Sequence, residues 1–180
     1  MPLSRIKLDK GTGNVPAANI PTLSASNMPA GSVIQVKHAF HGINTTTAGS
    51  TFTSVIEVQF DNDLQANSQV MIWASYSATR GTYNSNWGGR VTIYRDSTNL
   101  GTAFNLANTS AGGIMSQDNA AVPSDSISHL DTSPGTGRPT YKLMHADTST
   151  GSSTVQIGGN RNNTNYGNTG TMLTIMEIKG

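Results

Sequence analysis

Four histidines, His38, His41, His129 and His145, are the side chains of this sequence best suited to metal ligation or general-base work. His38 and His41 lie three apart in a segment that alternates like a strand, so they point to opposite faces and cannot share one ion unless the strand ends between them. A core or interface role is expected for them. Asp61, Asn62 and Asp63 place oxygens where calcium could bind, but the further ligands and the glycine of a calcium loop are not close. An Asx turn at a strand end accounts for the same residues. Ser128, His129 and Asp131 hold the residue types of a hydrolytic triad, yet neighbouring side chains on a strand diverge, and no Gly-x-Ser-x-Gly elbow occurs. Gly11-Thr12-Gly13 lacks the Gly-Lys-Thr signature of a phosphate loop. The sequence therefore predicts no catalytic residue, no metal and no cofactor.

Elements that could position any site follow from composition. Only 12% of the 180 residues are charged and 35% are hydrophobic, and Gly, Ser, Thr and Asn fill the stretches between apolar runs. Thr and aromatics favour strands and Gly, Asn and Ser favour turns, which predicts many short strands. Residues 32–40 alternate, with Ile34, Val36 and Phe40 apolar, His38 on the same side, and Gln35 and Lys37 opposite. Residues 52–60 alternate again, Phe52, Ile56, Val58 and Phe60 against Thr53, Glu57 and Gln59. Residues 70–76 and 172–178 are apolar on both faces, as in strands inside a sandwich or against another subunit. A hairpin is expected from residues 91–95 and 100–106 across Asp96-Ser97-Thr98-Asn99, and further strands at 139–146 and 154–157. Residues 79–89, 108–125 and 158–170 are read as long connections.

Residues 1–31 differ. Pro2, Pro16, Pro21 and Pro29 forbid a helix or central strand, and Leu3, Ile6, Leu8, Val15, Ile20 and Leu23, with Arg5, are too scattered for a core. An extended N-terminal arm attaching to another surface is expected, followed by an antiparallel β-sandwich of jelly-roll type over residues 32–180.

Eleven basic against ten acidic residues, without a basic block, argue against nucleic-acid binding. No apolar run is long enough to insert in a membrane, and the first residues do not read as a signal peptide, so synthesis in a cytoplasm is expected. With no cysteine, stability must come from core burial and partner subunits. The doubly apolar strands suggest a homotrimer, with Met172, Ile175 and Glu177 as interface candidates. Glu177 in so apolar a strand needs a partner such as Arg138, Lys142 or Arg95, best met by an ion pair at a subunit boundary. Tyr83, Trp87 and Tyr166 lie in Gly- and Asn-rich segments and could stack on a glycan or cap the core.

The stretch Met28-Pro29-Ala30-Gly31-Ser32-Val33-Ile34-Gln35-Val36 resembles the opening of small β-rich virion proteins of marine tailed bacteriophages. Residues 91–101, residues 138–143 and the ending from Asn165-Tyr166-Gly167 through Leu173-Thr174-Ile175-Met176-Glu177-Ile178 agree in the same order. The resemblance spans residues 28–180 and implies a structural protein of the capsid decoration, head fibre or tail fibre type. Its implied partners are capsid or tail proteins and, for a fibre, a host-surface glycan. It carries over no catalytic residue.

Overall fold

A computed structural model describes residues 27–43, 45–47, 50–80, 89–101, 124–147, 155–158 and 170–180. They form ten strands and no α-helix: β1 (Val33–His41), β2 (Thr45–Thr47), β3 (Thr53–Gln59), β4 (Gln69–Arg80), β5 (Gly89–Arg95), β6 (Thr98–Asn99), β7 (Ser124–Asp131), β8 (Thr140–Asp147), β9 (Val155–Ile157) and β10 (Thr171–Ile178). Short β2 pairs with β9, and β9 with the end of β4. The other eight make two antiparallel sheets, β1-β10-β4-β7 and β3-β8-β5-β6. Counted along the chain, the first of these pairs with the last, the second with the seventh, the third with the sixth and the fourth with the fifth. That nesting is a jelly roll.

Alternation puts one face of each sheet inside. Val70, Ile72, Ala74, Tyr76, Leu173 and Ile175 pack from the first sheet against Ile56, Val58, Ile93, Tyr141 and Leu143 of the second. β3 keeps the expected faces, with Ile56 and Val58 buried and Thr53, Glu57 and Gln59 exposed; Val55 is also buried, beside a register shift between Ser54 and Ile56. The hairpin loop is two residues shorter than expected: Asp96-Ser97 is the whole loop, pairing covers only Thr98 and Asn99, Leu100 and Gly101 form a helical turn instead of the expected strand, and residues 102–106 lie outside the described residues. Asp96 makes this possible by accepting a φ of 53°, which a short polar side chain tolerates, while its Oδ1 takes the amide of Thr140 at 2.9 Å. β7 runs through Ser128, His129 and Asp131, which the turn-rich composition there had not marked as a strand. β2 likewise was not expected.

β1 corrects the expectation outright. Its even side, Val36, His38 and Phe40, faces out, and Gln35, Lys37 and Ala39 face in. The cause is register. β10 is pinned by burial of Leu173 and Ile175, and Val36 sits opposite outward Met176, so every second β1 residue must turn out with it. The inward polar groups survive because β1 is an edge: Lys37 Nζ reaches Asp61 at 2.7 Å, and Gln35 Nε2 reaches Glu177 at 2.7 Å.

Candidate functional site

Three features could carry function. The first is a polar clasp between the sheets. Asp131 at the end of β7 accepts Arg95 Nη1 from β5 on both carboxylate oxygens, at 2.9 and 2.8 Å, and the hydroxyl of Tyr141 from β8 at 3.0 Å. The Ser133 amide adds a bond at 3.2 Å, and Arg95 also donates to the Ser133 carbonyl. Tyr141 is wholly buried, so burial above all, then the Asp131 charge, drives its phenol far above its ordinary pKa. A tyrosine so held donates a hydrogen bond and does not ionise, and the group is structural in its chemistry.

The second feature is a set of buried polar groups. Glu177 is fully buried, and its carboxylate accepts Gln35 Nε2 and, at 2.6 Å, the Gln65 amide. The expected cation is not its partner: Arg95 is committed to Asp131, Lys142 to Glu57 and Arg138 to Asp63. Glu177 thus ties the segment after β3 to the end of β10. Glu177→Leu should leave the Gln65 amide unsatisfied and lower stability by about 1–3 kcal/mol, read from urea unfolding at neutral pH. Among the histidines, His38 is exposed and His41 turns to the other face, where Nε2 meets Thr45 Oγ1 at 3.2 Å. His129 is half-buried, with its pKa lowered mainly by burial, and His145 is in the core. Among the described residues no group of His, Asp and Glu could hold a metal. Asp61 and Asp63 instead pair with Lys37 and Arg138.

The third feature is the outer face of the first sheet. Register aligns Val36, Met176, Met71 and Leu130 in one row across β1, β10, β4 and β7. The next row is His38, Thr174, Trp73 and Ser128, and the next Phe40, Met172, Ser75 and Ser126. Phe40 is 69% exposed, Val36 54%, Trp73 45% and Leu130 41%. No Asp, Glu, Lys or Arg occurs in these rows. Phe40 is held in place: a methyl group on Gly170, whose φ is +72°, would collide with its ring, and one on Gly42 would come within 3.1 Å. The opposite sheet differs, since its outer side carries the Lys142–Glu57 ion pair.

Of the three interface candidates, only Met172 points to this outer face; Ile175 and Glu177 point into the sandwich. That corrects the grouping: in a strand of period two, position 172 faces opposite to 175 and 177. Val36, Phe40, Trp73 and Leu130 were not singled out from sequence as surface residues. The usable signal was that residues 70–76 and 172–178 are apolar on both faces of a chain that small. The arm residues Leu3, Arg5, Ile6, Leu8, Val15, Ile20 and Leu23 and the aromatics Tyr83, Trp87 and Tyr166 lie outside the described residues. A cavity of about 420 Å³ opens at the β7 edge, between Ile93 and Gly101 on one side and Ile127, His129 and Leu130 on the other.

No protein-family model and no curated protein matches the sequence. Among solved structures the chain is similar to the VP2 subviral particle of infectious bursal disease virus, with 12% identity and a TM-score of 0.44 over 92% of this chain and 43% of that one. It is similar also to T=1 particles derived from the same virus, at 12% identity and a TM-score of 0.38, over 92% of this chain and 41% of that one. A third likeness is to the T13 particle of that virus, at 12% identity and a TM-score of 0.37, over 92% and 40%. The chain spans less than half the length of each.

Proposed function

We propose that this chain is a non-enzymatic structural component of a virus particle, a capsid decoration or head-fibre module of a tailed bacteriophage, attached through residues 1–31 and assembled as a homotrimer. The observation that carries this reading is the jelly roll with one outer sheet face apolar and free of charge. Jelly rolls form the walls of many viral shells. A face of that kind is costly to leave in water and marks a contact surface. The sequence resemblance over residues 28–180 supports the phage assignment. After synthesis in the host cytoplasm the protein would reside in the virion, bound to capsid or tail proteins. The alternative, a tail fibre or fibre-tip adhesin binding a host-surface glycan, rests on Tyr83, Trp87 and Tyr166.

Copy number in purified particles tests both. Hundreds of copies mean decoration, a few to a few tens mean a fibre or tail appendage, and none removes the virion reading altogether.

The arm makes a separate prediction. Within the described residues, sheet pairing at this end starts at Gly31 and Ser32, where the Gly31 amide donates to the Lys179 carbonyl at 2.7 Å and the Lys179 amide to Ser32 at 2.9 Å. Removing residues 1–27 should therefore leave circular dichroism and melting of the domain nearly unchanged while incorporation into particles is lost. Insoluble expression of the shortened chain would make the arm part of the fold.

A further inference from the structure

From the register of the first sheet we infer that its outer face, β1-β10-β4-β7, is the surface on which a second copy of this chain docks. The inference rests on the reading of the chain as an assembling component, but its test needs no particle. Four strands at roughly 4.8 Å spacing and about seven residues at ~3.3 Å rise give a face roughly 19 by 23 Å. Counted on two copies that is about 900 Å², the size of a weak contact, which suits association at tens of micromolar. Val33, 46% exposed, stands at the start of β1.

Charge decides the occupant. With no lysine or arginine in its rows, the face offers nothing to phosphate on a nucleic acid or a lipid surface. A charged protein surface laid on it would lose water and gain no counter-charge. A copy of the same face meets this condition by identity, because it too lacks charge. The middle row adds polar matching, since the hydroxyls of Thr174 and Ser128 and the imidazole of His38 each donate and accept, and so can bond to their own kind. On either side lie the apolar row Val36–Met176–Met71–Leu130 and the pair Phe40–Met172. Phe40, seated over Gly170 and Gly42, is preset for contact and loses little freedom on binding.

The test is the solution mass of the full chain and of face variants by light scattering at tens of micromolar. A face that docks on its own copy is two-fold, so the native chain should weigh twice 18.9 kDa, or six times that where the trimer also forms through other surfaces. Trp73→Glu puts like charges on both faces of a pair and should weaken this contact by at least ~30-fold, the scale of a lost hot spot, halving the mass. Phe40→Ser guards against misfolding, because it removes only an exposed ring; it should dissociate the assembly with circular dichroism unchanged. Thr98→Glu, on the other sheet, should keep the native mass. A monomeric or trimeric native chain overturns the inference, as does native mass in both face variants. Gain of apolar-dye binding by a monomer on deletion of residues 1–26 would give the face to the arm and overturn it equally. Copy number in particles bears on none of these masses, so the two readings can fail separately.

Discussion

Asp131→Ala should lower unfolding free energy by about 3–5 kcal/mol, the usual cost of leaving a buried charge without its partner. For a chain of this size that corresponds to a melting temperature about 10 °C lower. The substitution strands two groups at once. Arg95, with 23% of its side chain exposed, loses both carboxylate contacts, and the Tyr141 hydroxyl loses its acceptor inside the core. Because Asp131 stands on one sheet and Arg95 and Tyr141 on the other, the loss also loosens the sandwich where β7 closes it. Tyr141→Phe, which removes only a hydroxyl, should cost about 1 kcal/mol, while Asp131→Leu combined with Arg95→Met should recover much of the single-variant loss. Thermal melts of the four proteins decide it; an Asp131→Ala drop of only one or two degrees would mean that water substitutes for the carboxylate.

Acid should destabilise the domain through His145. Its ring is fully buried, neither nitrogen has a hydrogen-bond partner, and burial lowers its pKa from 6.5 to about 4. Above pH 6.5 the ring is neutral folded or unfolded and stability does not depend on it. Between pH 6.5 and 4 the unfolded chain binds a proton that the folded chain refuses, so stability falls as pH falls. Below pH 4 both states are protonated and the loss levels off at about 3 kcal/mol. His129, also lowered, adds to the same slope. His145→Leu should flatten the fall of the urea midpoint between pH 7 and 4, leaving the part due to His129. It should also raise stability at pH 7, because two unpaired buried nitrogens go. Equal slopes in both proteins would show that protonated His145 finds water within the folded state.

Much of the architecture was legible from residue order. Scarce charge and abundant Thr, Gly and Asn indicate an all-β chain, and the clean alternation of residues 52–60 marks β3 with its correct faces. The sequence also separates His38 from His41 and Ser128 from His129, because a period of two does so in any strand. The doubly apolar segments at 70–76 and 172–178 are the two middle strands of one sheet, one side of each in the core and the other on the outer face.

What alternation cannot supply is the sense of inside. In β1 the pattern divides Val36 and Phe40 from Gln35 and Lys37, but only pairing with β10, some 140 residues later in the chain, turns the apolar side to solvent. Partners of buried charges are equally nonlocal. Glu177 is satisfied by an amide and a carboxamide 112 and 142 residues away, and Asp131 joins Arg95, 36 residues distant, to Tyr141. Local sequence thus determined strand character and the two sides of each strand, since those depend on neighbours one and two positions apart. Tertiary structure alone decided which side is core, which polar groups meet, and that an uncharged apolar face is left outside, because those depend on a register set between strands remote in the chain.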